Sequence, residues 1–77
     1  MTKKELKACE KVMREGIRAA EQAEEEFYEA FFEKDTLIRQ AKELKGHDHL
    51  GYAEGINQVL ATIGFKHSDM KKLQVLI

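Results

Sequence analysis

Glu43, His47, Asp48 and His49 put four metal-donor side chains, two of them imidazoles, into seven positions. Imidazoles and carboxylates on neighbouring turns have zinc-type ligand chemistry. A site needs three donors held in convergence, and glycines stand at 46 and 51 on both sides of this stretch. A glycine-flanked connector preorganises ligands poorly, so His47 and His49 are expected to hold no metal. Asp48 reads instead as the N-cap of a following helix. His67-Ser68 is a second pair with reactive types. A nucleophile needs a base, an orienting group and a cleft, and Ser68 is better explained as a cap. Gly46, Gly51 and Gly55 follow no strand, so no phosphate-cradling loop is present. Cys9 is the only cysteine, which rules out a four-thiolate zinc site and an intrachain disulfide and fits a reducing compartment. It reads as a small buried apolar residue. No catalytic residue, metal or cofactor is expected, and the chain is not read as an enzyme.

The elements that carry these residues are helical. There is no proline among 77 residues, and 35% are charged. Thr2-Lys3-Lys4-Glu5 has the form of a capping box. Beyond it, small or apolar residues recur at alternating steps of three and four: Leu6, Cys9, Met13, Gly16, Ala20, Ala23, Phe27, Ala30, then Leu37, Ala41 and Leu44. That period predicts one long amphipathic helix over 3–45, bent if anywhere near Gly16 or at 33–36. Lys34 interrupts the stripe there, and Asp35 could cap a new helix. Gly46 reads as the stop and 46–49 as the loop. A second helix is expected over 49–63, with Tyr52, Ala53, Ile56, Val59, Leu60 and Ile63 on one face. Gly64-Phe65 reads as its Schellman ending, and Ser68 as the cap of a third helix over 69–77.

The expected fold is therefore all-α: a single helical domain over 1–77, one long helix followed by two shorter ones. A helix over 3–45 would run roughly 65 Å, and the other two supply only about 36 Å. Much of the apolar stripe would stay uncovered, which marks an interface. Its centre is "EEEFYEAFFE" at 24–33, where four of the six aromatics are wrapped in glutamates. The bundle is expected to be completed by dimerisation, with Met13, Ile17, Phe27, Phe31 and Ile38 carrying self-association. Glu25, Tyr28, Glu29 and Phe32 lie at the stripe's edge and are candidates for binding a further partner.

Net charge is −1, in blocks. Residues 1–18 carry six Lys/Arg against three Glu, or +3; residues 19–35 carry seven acids against Lys34, or −6. Residues 36–55 balance to zero, and 56–77 carry three Lys against Asp69, or +2. Such blocks can steer a partner or set antiparallel pairing between two copies. No cationic stretch leads into an apolar run, so no secretory leader is expected. No run of 18 apolar residues would span a membrane. A cytoplasmic location is the expectation.

"INQVLATIGFKHSDMKKLQVLI" at 56–77 resembles a DNA-binding helix-turn-helix over residues 56–75. Val59, Ile63, Phe65, Met70 and Leu73 match its apolar spacing and Gly64 its turn, while Leu60 stands where the motif has a small residue. The resemblance implies that Lys66, His67, Lys71, Lys72 and Gln74 face phosphates or bases. In size, in lack of strands and in the helix "GYAEGINQVLATIGF", the chain also looks like small orphan proteins of bacteriophages and mobile elements. That likeness implies a protein that binds and modulates a larger machine, as anti-CRISPR proteins do. Two functions follow as expectations: a homodimeric helical adaptor or inhibitor that acts by surface on a larger protein, and, as the alternative, a small dimeric helix-turn-helix DNA binder.

Overall fold

The computed structural model describes every residue, Met1–Ile77. It is all-helical: α1 spans Lys3–Phe32, α2 Thr36–Thr62 and α3 Met70–Leu76. The order is the expected one, a long helix and then two shorter ones. The first boundary differs. The helix expected over 3–45 ends at Phe32, and the stretch 46–49 that was expected to be a loop lies inside α2.

Local chemistry and burial together explain the break. Glu33 is extended, with φ −79° and ψ 125°. The Asp35 carboxylate accepts from the backbone N–H groups of Leu37 and Ile38, at 2.9 and 3.1 Å. The Glu33 carboxylate accepts from the N–H of Asp35 at 3.1 Å. Two carboxylates thus satisfy three backbone donors where α2 opens, as a good N-cap does. A continuous helix would have left the apolar stripe in water. The turn folds α2 back on α1 and buries Gly46, Ala53, Ile56 and Leu60 against it.

The two long helices form an antiparallel hairpin, and the molecule is a rod of 50 × 16 × 16 Å. Helix α3 packs along the middle of α1, from Arg14, which meets Asp69, to Ala20, Ala23 and Phe27, which line one pocket with Val75, Leu76 and Ile77. The core lies where the three helices meet. Met13, Leu60 and Leu73 are fully buried, with Ile17, Ile56, Phe65 and Met70 around them. Alanines 19, 20, 23, 30 and 53 fill much of the rest, which lets the helices approach closely. At Gly16 the approach is close: a Cβ there would stand 2.9 Å from Cγ2 and 3.3 Å from Cβ of Ile56.

Two further end signals form as read. Thr2 and Glu5 make the capping box, each side chain accepting from the other's backbone N–H. The bond from the Thr2 backbone, then that from its hydroxyl, holds the Glu5 carboxyl below its usual range. Gly64, at φ 76°, ends α2 in the left-handed region that favours glycine. The N–H of Phe65 reaches the carbonyl of Leu60 and that of Gly64 the carbonyl of Ala61, the Schellman pair. Asp48 and Ser68 are not caps. Asp48 sits mid-helix, and α3 starts after Asp69, whose N–H donates to Nδ1 of His67 at 3.0 Å.

The face assigned to the second helix splits in two. Ala53, Ile56 and Leu60 turn inward, while Tyr52, Val59 and Ile63 stand exposed. Leu37 and Leu44, counted in the first stripe, are exposed as well. A break at 33–35 resets the helical phase, so residues on the far side of it no longer share α1's face.

Candidate interaction surface

The turn end of the rod carries the aromatic cluster. Tyr28 and Phe32, one helical turn apart, stack tilted with ring centroids 5.0 Å apart; Phe32 meets Phe31 edge-on at 5.1 Å. The preferred offset and edge geometries of ring pairs are thus met side to side, along the surface. Phe31 is 81% exposed, Tyr28 67% and Phe32 63%. Tyr28 and Phe32 border a shallow groove completed by Glu29, Glu33 and Lys42.

Lys42 positions this end. Its Nζ lies 3.3 Å from Glu29 and 3.7 Å from Glu33. The last turn of α1 has no basic residue of its own, so the ammonium from α2 supplies the cation that a helix C-terminus favours. Glu29 and Glu33, paired with Lys42, stand beside the rings. Glu25 is exposed one turn back. All four candidate partner-binding residues, Glu25, Tyr28, Glu29 and Phe32, are on the surface.

The five residues expected to carry self-association are separated. Met13 and Ile17 belong to the chain's own core, because α2 and α3 cover α1 where a second copy was expected. Phe27 is half-buried, its ring over Gly46 and edge-on to His47 at 5.0 Å. Phe31 and Ile38 remain exposed.

The histidines are engaged within the chain. His47 packs on Phe27. His49 Nδ1 stands 2.7 Å from Glu26 Oε1 between α2 and α1, an ion pair when the imidazole is protonated. His67 accepts from Asp69, stacks on Phe65 with centroids 6.0 Å apart, and points Nε2 toward Glu10 at 3.8 Å. The three imidazoles therefore diverge, and no three donors converge on a metal-sized space.

At the opposite end of the rod the fold gathers charge that is separate in sequence. The hairpin brings 1–18 (+3) beside 56–77 (+2), which makes +5, while the turn half, 19–55, totals −6. Lys66, Lys71, Lys72 and Gln74 are exposed, the last three on α3 where it runs from Arg14 toward Ala20 and Ala23. His67 is not free to face a phosphate, since its ring caps the turn before α3. Arg14 crosses to Asp69 at 2.9 Å and also reaches Glu10 at 3.3 Å. The hydrogen bond from Arg14 holds the Asp69 carboxyl below its usual range, and the same bond raises the guanidinium.

Sequence reading located the rings and missed the pairing of the two basic blocks. The signal was the Asp35 cap, from which the hairpin and both ends of the rod follow. No helix is long and apolar enough to cross a membrane. Comparison with protein-family models, curated proteins and solved structures finds no match.

Proposed function

We propose that this chain is a non-enzymatic interaction protein, an adaptor or inhibitor that works as a homodimer and engages a larger protein through its aromatic end. The observation that carries this reading is the exposed Tyr28–Phe32–Phe31 ring cluster at the turn of the hairpin. Aromatic rings in contact with one another but not with the rest of the fold are the residues that dominate protein interfaces. The surrounding half of the rod has a charge of −6, so the matching surface is basic with apolar edges. Lysines and arginines of such a partner can lie over the ring faces. Engagement of all three histidines within the chain supports a role without catalysis. The lone Cys9 supports a reducing, cytoplasmic setting.

The test uses paired baits, wild type and Phe31→Ser/Phe32→Ser, in extract of the native cell. A protein retained by the first and lost by the second, with both baits equally folded, supports the reading. Equal retention on both rejects it.

The +5 end favours a second reading, contact with nucleic acid through Lys66, Lys71 and Lys72 together with the lysines of residues 1–18. Helix α3 has only seven residues, about two turns of recognition surface. A mobility shift of duplex DNA that fades steeply with salt would establish this reading; no shift at low salt ends it.

A further inference from the structure

Helix α2 has two apolar faces. One, with Gly46, Ala53, Ile56 and Leu60, is buried in the hairpin. Farther round the helix, Leu37, Ala41, Leu44, Gly51, Gly55 and Val59 follow the steps of four and three that make a coiled-coil seam. This outer face is open: Leu37 is 77% exposed, Leu44 64% and Val59 59%. Only Asp48 places a charge in it. A Cβ at Gly51 or Gly55 would meet nothing within 4 Å, and neither residue has a positive φ. Nothing inside the chain requires glycine there, and each one weakens the helix by about 1 kcal/mol against alanine. With Val12 of α1 they line an apolar groove that runs beside Tyr52 and Val59.

We propose that two copies of this chain pair through this face, α2 against α2 and antiparallel. The proposal rests on the homodimer reading above and names its surface and direction. Charge selects the occupant and its orientation. The −6 half of one rod then lies beside the +5 half of the other, whereas a parallel pair sets like charge on like. Area agrees. The chain exposes 5792 Å², where a monomer of this mass typically exposes roughly 4,800 Å². The excess, on the order of 1,000 Å², belongs to the whole 50 × 16 × 16 Å rod and leaves room for the roughly 800 Å² that one partner of a stable interface covers. Helix α2 offers a seam about 40 Å long.

The residues also set a register. In an antiparallel seam Leu44 of one copy meets Gly55 of the other, and Asp48 meets Gly51, so the larger side chains settle over the glycines. The two Asp48 carboxylates then do not oppose each other. Ile38 falls beside Val59 and Lys45 beside Tyr52, which pairs exposed apolar side chains and places a cation by a ring.

Sedimentation equilibrium across the micromolar range tests the pairing. The expected mass is twice 8.9 kDa. Gly51→Gln/Gly55→Gln should keep its helical signal and weaken the dimer by more than about tenfold. Phe31→Ser/Phe32→Ser should leave the dimer intact. For direction, Ala41→Cys and Gln58→Cys chains, each with Cys9→Ala, are mixed and oxidised, and the 41–58 cross-link is expected. A wild type that stays monomeric overturns this proposal and the homodimer reading together. A dimer indifferent to the glycine variant, or one abolished by the ring variant, overturns the α2 face and leaves the homodimer standing. Cross-links of 41–41 and 58–58 alone overturn the antiparallel arrangement.

Discussion

The Phe27 ring occupies the space that a side chain at position 46 would need: a Cβ on Gly46 would stand 2.8 Å from Cε1 and 2.9 Å from Cζ of Phe27. This contact docks α1 on α2 between the core and the turn. It also explains a glycine in the middle of α2, where helix propensity argues against one. Gly46→Ala is expected to lower stability. Overpacking costs about 1–3 kcal/mol and outweighs the roughly 1 kcal/mol gained in helix propensity. Gly16→Ala should be worse, since the atoms it meets include Cβ of Ile56, which cannot swing aside as a ring edge can. Thermal melts at one fixed concentration give the order, and an unchanged melt for Gly16→Ala would refute the close-approach account.

Asp35 decides where the chain turns. Its carboxylate holds both Leu37 and Ile38, and an N-cap of this kind contributes about 1 kcal/mol. Asp35→Ala should lower the melting temperature by roughly 4–8 °C for a chain of this size. Asp35→Asn, which keeps an acceptor, should recover most of the loss. If Ala and Asn behave alike, the cap does not set the corner.

Much of this fold could be read in the sequence because its signals are local. The capping box at Thr2, the Schellman ending at Gly64-Phe65 and the cap at Asp35 each need only adjacent residues. The spacing of Met13, Ile17 and Ala20 marks the inner face of α1. What could not be read is what the helices gain from one another. Gly46 looks like a stop until Phe27 is known to lie on it, and Lys34 looks like a minor flaw in a long stripe. Burial of Ala53, Ile56 and Leu60 against α1 favours the turn, and that gain is non-local. The ring cluster was legible as exposed surface. The joining of two basic blocks was not, since it depends on the hairpin.

Asp69 and Arg14 give the chain an acid-sensitive tie. Arg14 keeps the Asp69 carboxyl below its ordinary value, so near the lowered value the unfolded chain binds more protons than the folded one. The pair's stabilisation is complete above an ordinary carboxyl pKa of about 3.9 and is lost as pH falls through the lowered folded value. Both side chains are half-exposed, so the effect is small and screened by salt. Asp69→Asn should melt below wild type at neutral pH, with the gap closing below about pH 4. A gap independent of pH would mean that the residue acts by packing and not by charge.

Phe27 and Phe32 separate fold from surface. Phe27 is half-buried and touches Gly46 and His47; Phe32 is 63% exposed and touches only its ring neighbours and the groove beside them. Truncating a fully buried Phe costs about 3–5 kcal/mol, and partial burial places Phe27→Ala at the lower end of that range. A domain this small has only about 3–5 kcal/mol from its core, so Phe27→Ala should leave a largely unfolded chain at moderate temperature. Phe32→Ala should melt within about 0.5 kcal/mol of wild type, as surface substitutions do. Its loss should appear instead in binding, as reduced retention of the partner by the aromatic end. Melts, masses and paired-bait retention on the two variants decide this. If Phe32→Ala unfolds the chain and Phe27→Ala does not, the rings have been assigned to the wrong sides of α1, and the surface proposed for the partner is part of the fold.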